Sequence, residues 1–148
     1  MPIYMKFDGI DGECTTKGFE KWIEVDSYSW GVSNPGTGRA QFQDLHFSCH
    51  EMKPAPDLMY FCASGMHIPQ VILKSTSPQD GHQYLTVTMK EVLISSYMSG
   101  GSGGSTQPPD SEVSISFGFI DYRTFSQRGD GSTGAQHRYW NIDDNTGG

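Results

Sequence analysis

Apolar and polar residues alternate with a period of two along much of this chain of 148 residues. The alternation is typical of strands that bury one face. The first example spans Ile3–Phe7 and places its odd-numbered apolar side chains on one side. Further examples cover residues 22–33, 41–49, 68–76, 82–97, 112–125 and 137–143. About seven strands predict an all-β fold, a sandwich or a barrel closed by antiparallel hairpins.

The buried face changes within residues 22–33. Ile23 and Val25 share one parity, whereas Tyr28, Trp30 and Val32 share the other. A change of face inside one extended run indicates a bulge, or a strand that passes between two sheets at the corner of a small barrel.

One short segment has the signals of a helix, predicted over about Pro56–Ser64. Pro56 suits the first helical position, and the carboxylate of Asp57 favours the positive end of the helix. Gly65 is suited to close it.

The stretch Ser99–Asp110, SGGSGGSTQPPD, has the composition of a linker between domains. The chain has the usual length of one domain, and the remainder after this stretch is too short to bury its own core. We therefore predict a single domain, 1–148, in which residues 99–110 form a hairpin loop. Ser102 fits the G-x-S-x-G pattern of hydrolases, but that chemistry needs a helix directly after the turn, where a strand is predicted.

Composition excludes several classes of partner. A net charge of −7 without a basic cluster disfavours nucleic acid and anionic membranes. The N-terminus lacks the apolar run of a signal peptide, which predicts a soluble chain that is cytoplasmic at synthesis. Three cysteines, Cys14, Cys49 and Cys62, suit free thiols in a reducing compartment.

Histidines and cysteines cluster at His46, Cys49 and His50, with Cys62 and His67 nearby in sequence. On a strand the two histidines stand about 13 Å apart, and the cysteine between them points the other way. A core cysteine beside surface histidines fits better than a zinc site, so neither a metal nor a catalytic site is predicted. The tripeptide Arg128–Asp130, RGD, is assigned no function.

Several ordered segments resemble the haemolysin-coregulated protein (Hcp) family of type VI secretion systems. The similarity runs from residue 3 to residue 142. Its segments are GE at 12–13, KGFEKWIEV at 17–25, SYSWGVS at 27–33, QDLHF at 43–47, PDLMYFCASGMHIPQ at 56–70, LTVTMKEVLISSYMSGGSGG at 85–104, SEVSISFGFIDY at 111–122 and WNI at 140–142.

The resemblance implies a small two-sheet antiparallel β-barrel with one flanking α-helix. It further implies a structural subunit without enzymatic activity or cofactor. Such subunits form hexameric rings head to tail, and the rings stack into a tube tipped by a VgrG-type spike. A contractile sheath expels the tube, which can carry effector proteins in its lumen. Secretion through this apparatus needs no cleaved signal peptide and no membrane insertion.

The resemblance also suggests surfaces. A small polar strand face would line the lumen and meet cargo, and loops 11–21 and 34–40 are candidates for contact between rings. The candidate lumen residues are Ser27, Ser29, Gly31 and Ser33, and the candidate loop residues are Glu13, Lys17, Phe19, Asn34 and Arg39. Cys14 and Phe19 stand where many members have serine and histidine.

Two other classes of function remain open at this point. A β-sandwich carbohydrate-binding or adhesin module would use exposed aromatics such as Tyr97, Tyr122 and Trp140, and would normally carry an export signal. A small metal-dependent or thiol enzyme would need the histidines and Cys62 to converge.

Overall fold

The computed structural model describes residues 1–36, 38–78, 81–127 and 133–148. These residues form twelve strands and one helix. The elements are β1 (Ile3–Phe7), β2 (Ile23–Val25), β3 (Ser27–Ser29), β4 (Val32–Ser33), β5 (Gln41–Phe42), β6 (Leu45–Cys49), α1 (Ala55–Ser64), β7 (Ile68–Thr76), β8 (Gln83–Gly100), β9 (Asp110–Ser116), β10 (Phe119–Gln127), β11 (Thr133–Asn141) and β12 (Thr146–Gly147). The RGD tripeptide at 128–130 lies outside the described residues.

Strand β8 belongs to two antiparallel sheets. The first sheet has the order β12-β11-β10-β8-β7-β1-β2, and the second has the order β3-β6-β9-β8. Up to Val92, β8 pairs with β7, and from Leu93 onwards it pairs with β9. A shift of register between Ile94 and Ser96 marks a bulge at this transition, which bends the strand from one sheet into the other.

The chain also passes between the sheets at Asp26. β2 pairs with β1 in the first sheet, and β3 pairs with β6 in the second. The backbone N–H of Asp26 donates to the carbonyl of Ser48 at 2.8 Å, and the Asp26 carboxylate contacts the His50 ring, so two hydrogen bonds hold this corner. The predicted change of face is confirmed for Tyr28 and Trp30, which pack against the core, whereas Val32 is 53% exposed.

The predicted two-sheet, mainly β fold with one short helix is confirmed, but strand pairing does not close the barrel. Among the described residues, β2 pairs only with β1, and β3 only with β6. The ladder of backbone hydrogen bonds between strands is interrupted at Asp26. The chain turns there and makes one backbone hydrogen bond instead of a series of paired residues.

A single hydrophobic core fills the space between the sheets. Phe7 from the first sheet and Phe47 from the second are fully buried, and their rings lie 5.7 Å apart. Aromatic pairs at this distance add to the stabilisation from burial alone. Other fully buried members are Met5, Ile23, Leu45, Cys49, Leu58, Ile68, Val71, Leu73, Val87, Met89, Val92, Val113 and Ile115.

The helix begins one residue before the prediction. Pro54 precedes its first turn and accepts a hydrogen bond from the N–H of Leu58 at 2.9 Å, so Pro56 takes the second helical position. Gly65 ends the helix with φ 69°, a left-handed conformation that glycine adopts at little cost. Leu58 is its buried residue, and α1 packs against β8.

The run predicted over residues 112–125 is two strands. Gly118 separates β9, in the second sheet, from β10, in the first, and its N–H donates to the carbonyls of Lys90 and Glu91. The run over 41–49 is likewise divided into β5 and β6. Strand β8 extends to Gly100, which pairs with Asp110, so residues 101–109 connect β8 to β9.

Gly12 provides a test of how tightly loop 11–21 is bound to the fold. A methyl group at this buried position would stand 2.3 Å from the carbonyl oxygen of Trp22. We expect Gly12→Ala to lower the free energy of unfolding by roughly 1–3 kcal/mol, as overpacking does. Urea denaturation measures it.

Gly103→Ala is the matched control, because a methyl group there meets nothing within 4 Å. Equal urea midpoints of unfolding for Gly12→Ala and Gly103→Ala would contradict the close packing of Gly12.

Candidate functional site

The outward face of the second sheet is rich in serine. Cross-strand register places Ser29, His46, Ser114 and Ser96 in one row. The adjacent row holds Ser27, Ser48, Glu112 and Met98. We call these eight residues the serine face.

Hydrogen bonds between neighbouring strands tie this face together. The hydroxyls of Ser27 and Ser48 lie 2.8 Å apart, and Nδ1 of His46 lies 3.1 Å from Oγ of Ser114. Beside these rows, Oγ of Ser95 donates to Asp44 at 2.6 Å. Five of the eight residues of the serine face are therefore small hydrogen-bonding serines, and Met98, which is 63% exposed, is the apolar side chain among them.

Two of the four predicted lumen residues, Ser27 and Ser29, belong to the second sheet, and Ser33 belongs to the β4–β5 pair. Ser27 and Ser29 are exposed on the serine face. Gly31 accepts a hydrogen bond from the N–H of Gln43, and Ser33 pairs with Gln41 in the separate β4–β5 hairpin.

The sequence analysis missed the serines that neighbouring strands contribute. Ser48, Ser114 and Ser96 belong to β6, β9 and β8. Serines at the polar positions of 45–49 and 111–116 were the available signal, but only strand order shows that they adjoin Ser27 and Ser29.

Two unpaired strand edges bound the serine face. In the described part of the chain, β3 has β6 as its only partner, and Leu93–Gly100 has β9 as its only partner. Each edge therefore presents backbone donors and acceptors to its surroundings, which is the usual template for pairing with another chain.

Loop 11–21 is held at one end of this sheet. The N–H groups of Gly12 and Cys14 donate to the carbonyls of Lys21 and Trp22. The carboxylate of Glu51 accepts from the N–H groups of Glu13 and Glu24, each at 2.6 Å. Burial, more than any other influence, raises the pKa of this carboxyl.

The predicted residues of this loop differ in exposure. The Phe19 ring is half-buried, stacking on Tyr4 at 4.1 Å and meeting Trp22 edge-on at 5.1 Å. Glu13 is exposed, but its carboxylate accepts from the N–H of Lys53 at 2.8 Å. Lys17 is exposed.

Loop 34–40 leaves the opposite end of the second sheet. Oδ1 of Asn34 accepts from the N–H of Gly36 at 2.8 Å, which forms a tight turn. Nδ2 of Asn145 donates to the carbonyl of Gly38 at 3.0 Å and ties the loop to the C-terminal segment. Arg39 is exposed.

The connection 101–109 lies at the same end as loop 11–21. Gln107 and Pro108 line a cavity of about 360 Å³ together with Glu13, Thr16 and His50. Since antiparallel register places Gly100, Ser111 and Cys49 at this end, the two predicted ring-contact loops lie at opposite ends of the subunit.

The histidines and cysteines do not converge. His50 contacts the carboxylate of Asp26, His46 contacts Ser114, and the side chain of Cys49 lies in the core. Across the described residues, no three His, Cys, Asp or Glu side chains are placed to hold a metal. Burial raises the pKa of the Cys49 thiol to about 11, so its reactive thiolate is scarce near neutral pH.

Thiol alkylation tests this environment. At pH 8 we expect iodoacetamide to modify the half-buried Cys62 well before Cys49, because Cys49 is both inaccessible and protonated. Peptide mass spectrometry over a time course measures each site. In denaturing urea all three cysteines should react, and equal native rates at Cys49 and Cys62 would contradict the placement.

The exposed aromatics of the alternative binding module do not form a platform. The hydroxyl of Tyr97 lies 2.8 Å from Oγ of Ser111, and its ring packs on the core, whereas Tyr122 and Trp140 line a separate groove. Two open sheet edges beside a polar face instead characterise a structural subunit that associates through its surface.

Comparison with known proteins gives the family. The model of a family described as "Type VI secretion system effector, Hcp" matches residues 4–123. The chain belongs to the Hcp family and is a tube subunit of type VI secretion, a secreted protein. This family in general comprises structural tube proteins rather than enzymes.

Similar proteins cover nearly the whole chain. Protein hcp1 of Pseudomonas aeruginosa is 33% identical over 156 residues, which is 97% of this chain and 96% of that protein. The crystal structure of Hcp1 from Salmonella typhimurium has a TM-score of 0.87 at 26% identity and covers 99% of this chain and 97% of its own. Hcp2 from the same organism has a TM-score of 0.79 at 26% identity and covers 99% of each chain.

None of the described helical structure has both the length and the hydropathy required to cross a membrane.

Proposed function

We propose that this tube subunit forms hexameric rings by head-to-tail association, and that the rings stack into the tube. The observation that carries the proposal is the pair of open edges, β3 and Leu93–Gly100, on one four-stranded sheet. A head-to-tail interface must match two different patches, and these edges are two different patches.

Pairing of the β3 edge with the Leu93–Gly100 edge of the next copy would continue the second sheet around the ring. Each unpaired N–H and C=O on an edge would then gain a partner. With the core on its other side, the serine face would line the lumen, where its small hydroxyls leave room for effector cargo and supply hydrogen bonds to it.

Stacking would bring together the two ends of the subunit. Carboxylates of Glu13, Glu24 and Asp26 lie near loop 11–21, whereas loop 34–40 carries the exposed cation of Arg39. Opposite charges at opposite ends favour one stacking direction. The exposed Lys17 and the edge of the Phe19 ring are further contact candidates on the first end.

The wider partners follow from the family. We propose a VgrG-type spike at the tube tip, a contractile sheath around it and effector proteins inside it. The chain itself would have no catalytic activity, cofactor, nucleic-acid partner or membrane-inserted state, and would leave the cytoplasm through the apparatus without a cleaved signal peptide.

Negative-stain microscopy of the purified chain tests ring formation. We expect six-fold rings with an open centre, because only a closed ring gives every open edge a partner. A uniform monomer population at high protein concentration would contradict the proposal.

Ser29→Gln tests the cargo face. A longer side chain on this exposed row narrows the space above the neighbouring serines, so we expect fewer effector proteins to co-purify with intact rings. Mass spectrometry of tagged rings measures the loss, with Ser126→Gln on the exposed part of β10 as control. Loss of the rings themselves would show that Ser29 is structural instead.

A further inference from the structure

Exposed apolar side chains gather on the helix. Met59 and Tyr60 of α1 are 50% and 57% exposed, and Met52 and Met66 at its two ends are 41% and 47% exposed. We call these four residues the helix patch. Long flexible methionines beside a tyrosine suit a surface that inserts into a recess.

A second apolar surface is concave. It lies between the β4–β5 hairpin and strands β10 and β11, and has a cavity volume of about 430 Å³. We call it the aromatic groove; its apolar lining includes Trp30, Val32, Phe42, Tyr122, Tyr139 and Trp140. Trp30 meets Tyr122 edge-on at 5.2 Å, so the wall is preformed.

The two surfaces are complementary in charge. Asp57 is the only charged side chain of α1, and it is exposed in the first turn. Arg138 is the only charged side chain among the described residues that line the groove, and it is exposed as well. One carboxylate beside the helix patch therefore matches one guanidinium at the groove.

The two surfaces also flank the two open edges of the second sheet. Trp30 directly follows β3, which is one edge. Helix α1 packs against β8, and Ile68, four residues after the end of the helix, pairs with Val92, where the other edge, Leu93–Gly100, begins. When one edge meets the other in a ring, the helix of one copy and the groove of the next approach the same contact.

We propose that the helix patch of one copy inserts into the aromatic groove of the next copy, with Asp57 facing Arg138. This inference rests on the proposed ring and assigns the side chains of its interface. The patch and the groove share no described residue, as a head-to-tail contact requires. Burial of these aromatics would supply the apolar core that backbone edge pairing alone lacks.

A mixing experiment tests the assignment. Tyr60→Glu places a charge in the helix patch, and Val32→Glu places one in the groove, at a side chain that is 53% exposed. Each variant alone should remain folded by circular dichroism and fail to form rings. When the two variants are mixed, the intact groove of the Tyr60→Glu variant can bind the intact helix patch of the Val32→Glu variant. The mixture should then form 1:1 dimers that grow no further, because both remaining surfaces carry a substitution. Analytical ultracentrifugation measures the dimers.

Tyr84→Glu is the control, since Tyr84 is 39% exposed and belongs to neither surface; its rings should persist. Rings formed by either test variant, or a mixture that stays monomeric, would overturn the assignment. Should the unmodified chain form no rings, the proposed function fails instead, so the two failures are distinct.

A charge exchange tests the contact without adding bulk to the groove. Asp57→Arg and Arg138→Asp should each raise the protein concentration needed for half-maximal ring formation by about three- to tenfold, as the loss of a matched charge pair does. The double variant should recover most of that loss. If the double variant needed as high a protein concentration for ring formation as the more impaired single variant, the pairing of Asp57 with Arg138 would be excluded.

Discussion

The arrangement of surfaces depends on two of the crossings between the sheets, those at Asp26 and in β8. At Asp26 a single backbone hydrogen bond to Ser48 guides the chain from β2 into β3. At the bulge in β8, the strand leaves β7 and continues beside β9. Because both crossings bring the inner faces together, Phe7 and Phe47 meet in one core, while the serine face is turned outward.

The same crossings leave the edges of the second sheet open. Exposed edges are normally a liability, because any strand with free donors and acceptors can pair there. On this chain the β3 edge is three residues long, and the exposed side chains on the two edges are serines apart from Met98, which is 63% exposed. Weak edges of this kind discourage random association, and side chains next to them can then decide which partner is accepted.

The sequence predicted where the strands and the helix lie better than it predicted which strands are neighbours in the sheets. Ile3–Phe7 is a strand at the predicted bounds, and Gly65 ends the helix as expected, because both signals are local. The division at Gly118 was missed since apolar alternation continues across it, although the strands on either side belong to different sheets. Likewise, Ser29 and Ser114 share a face only through strand order, and no local pattern reports that order.

Hydrogen bonding on the serine face bears on how a lumen could hold cargo and still release it. Ser27 with Ser48 and His46 with Ser114 already bond to one another, so a cargo group that binds there replaces an existing hydrogen bond. Each such exchange contributes at most about 0.5–1.5 kcal/mol to the free energy of cargo binding. In the proposed ring the same face would repeat in every copy, and many weak contacts on one cargo molecule would add up through effective concentration. Retention would then depend on the intact ring, and cargo would be released when the ring comes apart.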